Sequence, residues 1–295
     1  MILMVGGTGT LGLAVAKRLV AAELPTTILS RNPDRHSHRF PAAINFVQGD
    51  LRDKDSLRKA VSGKSHVVAA AHSIFGRGRE ASQYVDDVGG KNLIDVSVGE
   101  GIERFIYVSA WFSQCMAQIP FFAIKRRIEL HLQTSGLAHT ILRPTAFMDM
   151  HAEQMIGLRI AANKMVIVFG PGTGLRNFVS ADDVAKLIVK EIQDSRSMSR
   201  TVTIGGPGNH STQDVIAIYE ALLKRAARIV RVPLAVAAFS RWFFTVFHPG
   251  LSQVMAISCR IEGHGDGYIV EDNPQCAANV SLRKWVQDRM HDSGY

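Results

Sequence analysis

Cysteine is scarce in this 295-residue chain: Cys115, Cys259 and Cys276 are the three, and none stands at CxxC spacing. That spacing argues against both a zinc site and a disulfide framework, and it fits a reducing compartment. Long apolar runs are also missing. The longest, Val232 to Phe247, contains Pro233 and Arg241 and is too short to span a bilayer, which leaves contact with a membrane surface as a minor reading of it. The first strand starts at Met1, so no signal or transit peptide is expected and a cytoplasmic location is. Internal repeats, low-complexity linkers and stripes of interleaved basic and aromatic residues are absent, which argues against solenoid, disordered and nucleic-acid-binding classes. His36 and His38 have no third ligand in sequence reach, so no metal site is assigned.

What remains has the composition of a globular protein, 46% hydrophobic and 20% charged, with a net charge of +8 that favours anionic ligands. The most informative stretch is the first dozen residues, MILMVGGTGTLG. A short apolar strand runs into Gly6, Gly9 and Gly12, and the amphipathic LGLAVAKRLV follows. This is the entry to a dinucleotide-binding unit. Gly6 permits the tight turn, Gly9 admits a pyrophosphate to the backbone, and Gly12 lets the helix lie against the strand. The amide groups of the helix start face the phosphates.

A second strand, Thr26–Ser30, ends in Ser30-Arg31-Asn32. An acidic residue usually marks this strand end when the cofactor lacks a 2′-phosphate. None is present, and Arg31 offers a positive fork instead, so NADP is expected over NAD. The plainer reading of Arg31 is a surface arginine in a turn. Ile44 to Val47 reads as a third strand closing on Asp50 and Leu51, which can meet an adenine edge and ring face, with Asp53 capping the next helix. Further strands are expected at His66 to Ala71, running into His72, at Arg104 to Ser109 and at Thr140 to Leu142, which leads into Arg143-Pro144. Helices are expected over Tyr84 to Val98 and from Pro120 to the stop at Gly136. Beyond Pro144 the alternation weakens: helical text covers Met150 to Ala162, a strand Met165 to Phe169, a capped helix starts near Asp182, and Arg200 to Ile204 reads as the last strand. Residues from 206 onward read as mostly helical, one helix capped by Ser211 or Thr212.

GGTGTLG at 6–12, Ser30-Arg31, GDLRD at 49–53, DVGGKNLIDVSVGEGIERFIYVS at 87–109, KRRIELHLQTSGLAHTILRP at 125–144 and FVSADDVA at 178–185 together resemble the NmrA-like branch of the atypical, extended short-chain dehydrogenase/reductases. The resemblance covers about two-thirds of the chain. It implies an α/β fold: a doubly wound parallel Rossmann sheet of about seven strands with a small, mainly helical C-terminal substrate lobe. The Rossmann core is expected at about 1–155 and 176–205, the lobe at about 156–175 and 206–295, the two sharing one compact unit. By the same resemblance Gly6, Gly7, Thr8, Gly9, Thr10, Leu11 and Gly12 hold the pyrophosphate. Ser30 and Arg31 meet the 2′-phosphate, and Asp50 and Leu51 the adenine. Ala71 and His72 flank the nicotinamide ribose, Lys125 bonds its hydroxyls and Pro144 sits by the nicotinamide amide.

The chemistry departs from the superfamily pattern. That pattern is a serine ending the fifth strand plus Tyr-x-x-x-Lys, the cation lowering the phenol's pKa for proton transfer. Ser109 and Lys125 are present as the catalytic candidates, but Phe121 occupies the tyrosine position. A phenylalanine transfers no proton. The expectation is an NADPH-dependent reductase of a small apolar acceptor, a quinone or an enone. The alternative is a non-catalytic NADP(H) sensor acting through a protein partner. Ser109 also reads as a strand-end hydroxyl and Lys125 as a solvated lysine in a basic run. His151 is a weaker pocket candidate than His72. Phe239, Trp242, Phe243, Phe244 and Phe247 read first as packing between helices, with an apolar substrate pocket or a homodimer patch as the sharper readings.

Overall fold

A computed structural model describes residues 1–194, 198–263 and 276–293. The chain divides into two compact units, Met1–Arg143 with Ala181–Val202, and Pro144–Ser180 with Thr203–Tyr295.

The first unit alternates strand and helix: β1 (Ile2–Val5), α1 (Thr10–Ala21), β2 (Thr26–Ser30), α2 (Pro33–His36), β3 (Asn45–Gln48), α3 (Lys54–Val61), β4 (His66–Ala69), α4 (Gly89–Gly99), β5 (Arg104–Val108), α5 (Pro120–Gln133) and β6 (His139–Pro144). In the sheet the order is β6-β5-β4-β1-β2-β3, with parallel pairing throughout. Reversal of direction at β1 makes the sheet doubly wound. Every residue of β1, β2, β5 and β6 is buried, as apolar strands covered on both faces must be, whereas β3 is partly exposed at the sheet edge. Leu3, Leu57, Leu93, Phe105, Ile128 and Ile141 form part of its core. Strand ends fall within two residues of the sequence reading: β3 begins at Asn45 rather than Ile44, and β4 closes at Ala69 rather than Ala71. One feature with no local signal is a π-helical turn, Gln83–Val88, leading into α4.

After β6 come β7 (Ala146–Phe147), a π-helical run at Asp149–Gly157, α6 (Leu158–Ala161), β8 (Met165–Phe169) and β9 (Arg176–Val179). The helix α7 (Ala181–Gln193) returns to the first unit, where it packs on α1 and Asp182 takes two 2.7 Å hydrogen bonds from Arg18. Next is β10 (Arg200–Gly205), the seventh long strand of the central sheet. It is not the last strand, as the sequence suggested: β11 (Asn209–His210), α8 (Thr212–Leu223), β12 (Arg228–Val232), α9 (Leu234–Phe247), α10 (Pro249–Gly263), β13 (Cys276–Ala277) and α11 (Leu282–Ser293) follow. β12 pairs with β8, β11 with β9, and β13 with β10. These pairings join segments far apart in sequence, which is why local text missed them. Ser211 caps α8 in a reciprocal capping box with Asp214. The second unit's core gathers Ile156, Val166, Phe178, Ile216, Tyr219 and Val286.

Candidate functional site

The glycine turn is built as the sequence demands. Gly6 has φ +81°, and a Cβ there would sit 2.3 Å from the Ala71 nitrogen; a Cβ on Gly12 would lie 2.0 Å from the Gly7 carbonyl oxygen. Both positions therefore exclude any side chain. Gly9 is different: it is exposed, and a Cβ would meet only the Gly6 oxygen, at 3.9 Å. The space beside it is open to a ligand. Gly9 is also the N-cap of α1, with no side-chain hydrogen bond to the helix and no acidic residue in the first turn. Unsatisfied N–H groups and an uncompensated positive helix end fit a pyrophosphate.

At the end of β2 the Ser30 hydroxyl accepts from the Asn32 N–H at 3.2 Å. Arg31 is ion-paired with Glu80. Glu80 also pairs with Arg52 at 2.9 Å, and Arg52 clamps Asp50 through Nε at 2.9 Å and Nη2 at 2.5 Å. The side-chain hydrogen bond from Arg52 keeps the Asp50 carboxyl below its usual range. Asp50, named from sequence for the adenine, thus has both oxygens engaged. Leu51 packs on the core and its carbonyl accepts from Asn92 at 3.2 Å. Arg52 and Glu80 were not singled out from sequence; Arg31 and Glu80 stand 49 positions apart, beyond any local pattern.

A second cluster forms behind β4 and β5. Lys125, on α5, is 5% exposed and donates to the Val108 carbonyl at 2.9 Å, with its ammonium 5.0 Å from the Tyr107 ring centre and 5.8 Å from that of Phe121. It is no solvated lysine. Burial lowers its pKa, against the opposing fields of Asp86 and Glu129. One N–H bond is used, and an ammonium has three. His72 meets Phe121 edge-on at 6.2 Å. The atoms crowded around its ring, and then Lys125, push its pKa down to about 4. His72 is exposed as a residue, and its lowered pKa leaves the imidazole neutral at pH 7. His151 is likewise pushed down to about 4, by burial and by Arg176, within the second unit. Pro144 is the last residue of β6 and the first of the second unit.

Two members of this cluster went unnoticed in the sequence. Asp86 is 8% exposed; its Oδ2 accepts from the Ser73 N–H at 3.1 Å, and its buried Oδ1 has no partner. Burial raises its pKa, while Lys125 acts to lower it. The π turn carries Asp86, and such turns recur at functional sites. Glu129 is wholly buried and lies one helical turn after Lys125. It accepts from Ser109 at 2.5 Å, Ser113 at 2.9 Å, and Arg143 at 3.0 and 2.6 Å. The Ser109 hydroxyl proton is therefore committed to a buried carboxylate. The i,i+4 spacing of Lys125 and Glu129 was the available signal, hidden among the apolar Ile124, Ile128 and Leu132.

An open glycine turn, a basic strand end and a buried lysine beside the fifth strand of a doubly wound sheet define a nicotinamide-dinucleotide-binding protein. The NAD(P)H-binding family model matches residues 6–195, and the chain belongs to that family, in its atypical, extended short-chain dehydrogenase/reductase or NmrA-like group. Among curated relatives, the photosystem II assembly factor Ycf39 of Guillardia theta is 24% identical over 246 residues, covering 83% of this chain and 77% of that one. The probable pinoresinol-lariciresinol reductase 3 of Arabidopsis thaliana is 28% identical over 236 residues, covering 76% and 74%. Among solved structures, the Citrobacter sp. triphenylmethane reductase complexed with NADP(H) superposes with a TM-score of 0.76 at 17% identity, over 98% of this chain and 99% of that one. Among the described residues no helix is long and apolar enough to cross a membrane.

Proposed function

We propose that the protein is an NADPH-dependent reductase of a small apolar acceptor, of quinone or enone type, that works without the phenol of its superfamily. The observation carrying this reading is a buried Lys125 beside Phe121, with the buried Asp86 acting on it through its field. The pKa of the amine is lowered and that of the carboxyl raised, so each is brought nearer to neutrality than in water. Each also keeps spare bonding capacity: two N–H groups on Lys125 Nζ, and the unpartnered Oδ1 of Asp86.

In this reading the turn Gly6–Gly12 and Arg31 hold the diphosphate and 2′-phosphate of NADPH, and Ala71, His72 and Lys125 line its nicotinamide end. The cofactor, when bound, supplies hydride. The chain's own part is to exclude water with Phe121 and Tyr107 and to hold a proton at Lys125 Nζ for the acceptor oxygen. Asp86 keeps that site charged by its field. Neutral His72 adds a hydrogen-bonding edge without a competing charge. Relatives whose names state a reductase activity support the general class.

A second reading, a cofactor-binding regulator, is favoured by one observation: Ser109, the usual partner of the missing tyrosine, is tied to Glu129 as a structural hydroxyl. The presence of assembly factors among the relatives agrees with it. The two readings are separated by following NADPH oxidation against quinones, enones and aldehydes. Oxidation of a quinone or enone supports the reductase. No oxidation across the panel, together with partner binding that depends on the cofactor's redox state, supports the regulator.

A further inference from the structure

Three of the five aromatic residues of the cluster, Phe239, Phe243 and Phe247, do not pack between helices as the sequence suggested. On α9, Val236, Phe239, Phe243 and Phe247 are 54%, 82%, 53% and 61% exposed, whereas Ala237 on the opposite side is fully buried. The side chain of Trp242 lies outside the described residues, and Phe244 is half-buried. At 100° per residue the four exposed side chains fall within about 80° of one another, so they form one straight stripe along a helix about 21 Å long. An exposed Phe is unremarkable singly; three in register with a Val are an unpartnered apolar face.

The segment that carries this stripe is net positive and is bounded by Glu220 and Glu262. Between Ala221 and Ile261 there are six Lys and Arg and no Asp or Glu. All six are exposed, and Arg225 and Arg231 donate to the carbonyls of Ala161 and Pro171 rather than to carboxylates. The charge decides which occupant fits. A second copy would bring the same net-positive segment against itself in a two-fold interface, with only Glu220 and Glu262 at its ends to offset six cations on each side. A partner must instead be apolar within and anionic without. α9 is too short to enter such a partner end-on but is proportioned to lie along it.

We propose that the stripe on α9 and the cationic segment that carries it bind peripherally to the surface of an anionic lipid bilayer, the phenylalanines entering the headgroup–acyl boundary and basic residues flanking the helix, Arg228 and Arg231 among them, meeting lipid phosphates. The inference is independent of whether the protein turns over NADPH.

The test is co-sedimentation of the full chain with phosphatidylcholine vesicles, with and without about 30% phosphatidylglycerol, at low and high salt. The expected result is binding to the anionic vesicles, at least about tenfold stronger than to neutral ones, and weakened in 0.5 M salt. Phe239→Ser with Phe243→Ser should reduce it about tenfold or more. Arg228→Gln with Arg231→Gln should reduce it severalfold and flatten the salt dependence. Circular dichroism and NADPH affinity check that the variants remain folded. Absence of binding to anionic vesicles overturns the proposal, and so does a solution dimer that the phenylalanine substitutions dissociate. Vesicle binding that ignores both lipid charge and these substitutions overturns it too, as does selective capture of an acidic protein in place of lipid.

Discussion

The ion pair between Arg31 and Glu80 makes cofactor selectivity a competition whose terms can be estimated. A 2′-phosphate bound by Arg31 gains a charge-assisted contact of about 1.5–3 kcal/mol. It must first displace Glu80. Because Arg31 and Glu80 are 58% and 42% exposed, that pair is worth only about 0.2–1 kcal/mol after screening. The net preference carried by Arg31 is then about 1–2 kcal/mol, so Arg31→Ala should weaken NADPH roughly five- to thirtyfold and leave NADH nearly unchanged. Glu80→Gln removes the competitor from both Arg31 and Arg52, and should tighten NADPH by roughly 1.5- to fivefold, again without effect on NADH. Titration calorimetry of both cofactors on wild type, the two single variants and the double variant gives the coupling directly. Raising salt to 0.5 M should shrink every NADPH effect. If Arg31→Ala weakens both cofactors equally, or Glu80→Gln weakens NADPH, Arg31 serves the loop and not the phosphate, and the reasoning fails.

Three further outcomes are expected. Phe121→Tyr puts a phenol within reach of the Lys125 ammonium and should introduce or raise carbonyl reduction, with a new ionisation in its pH–rate profile and unchanged NADPH affinity; efficient ketone reduction by the wild type would contradict the premise. Glu129→Ala leaves Arg143 buried without its carboxylate and should cost about 3–5 kcal/mol in denaturant unfolding. Burial acts to raise the Glu129 carboxyl, but the hydrogen bonds from Arg143 and Ser109 outweigh it and hold the pKa low, so its stabilisation is full above the unfolded value of about 4.3 and is lost as pH falls through the folded one; thermal melts of Glu129→Gln should therefore depend less on pH over that acid range. Asp86 has the opposite sign: burial raises its pKa, so its contribution is present below the unfolded value and lost as pH rises through the folded one. Asp86→Asn should be no less stable at pH 8, yet shift the pH–rate profile of NADPH oxidation; an unshifted profile would make Asp86 structural only.

What the sequence made legible was local. The run from Ile2 through Gly12 specifies strand, turn and helix within a few residues of one another, and its geometry follows from sterics at Gly6 and Gly12. Lys125 and Ser109 were legible as residues, but not what they bond to. Glu129 joins Ser109 on β5's end to Arg143 on β6, and Asp86 is turned inward by a π turn that no propensity announces. The C-terminal region was least legible because β8 with β12 and β9 with β11 pair across long intervals. The phenylalanines of α9 mark the limit of composition: the sequence shows a cluster of aromatics, while only packing shows which of them face outward.

The central claim, that a proton held at Lys125 replaces the phenol, is tested most directly by single-turnover oxidation of saturating NADPH with a quinone or enone acceptor in wild type and Lys125→Met. The account predicts oxidation by the wild type and a loss of at least about tenfold in the chemical step of the variant at saturating cofactor. Equal rates in the two proteins, or no oxidation by the wild type across the acceptor panel, would contradict it.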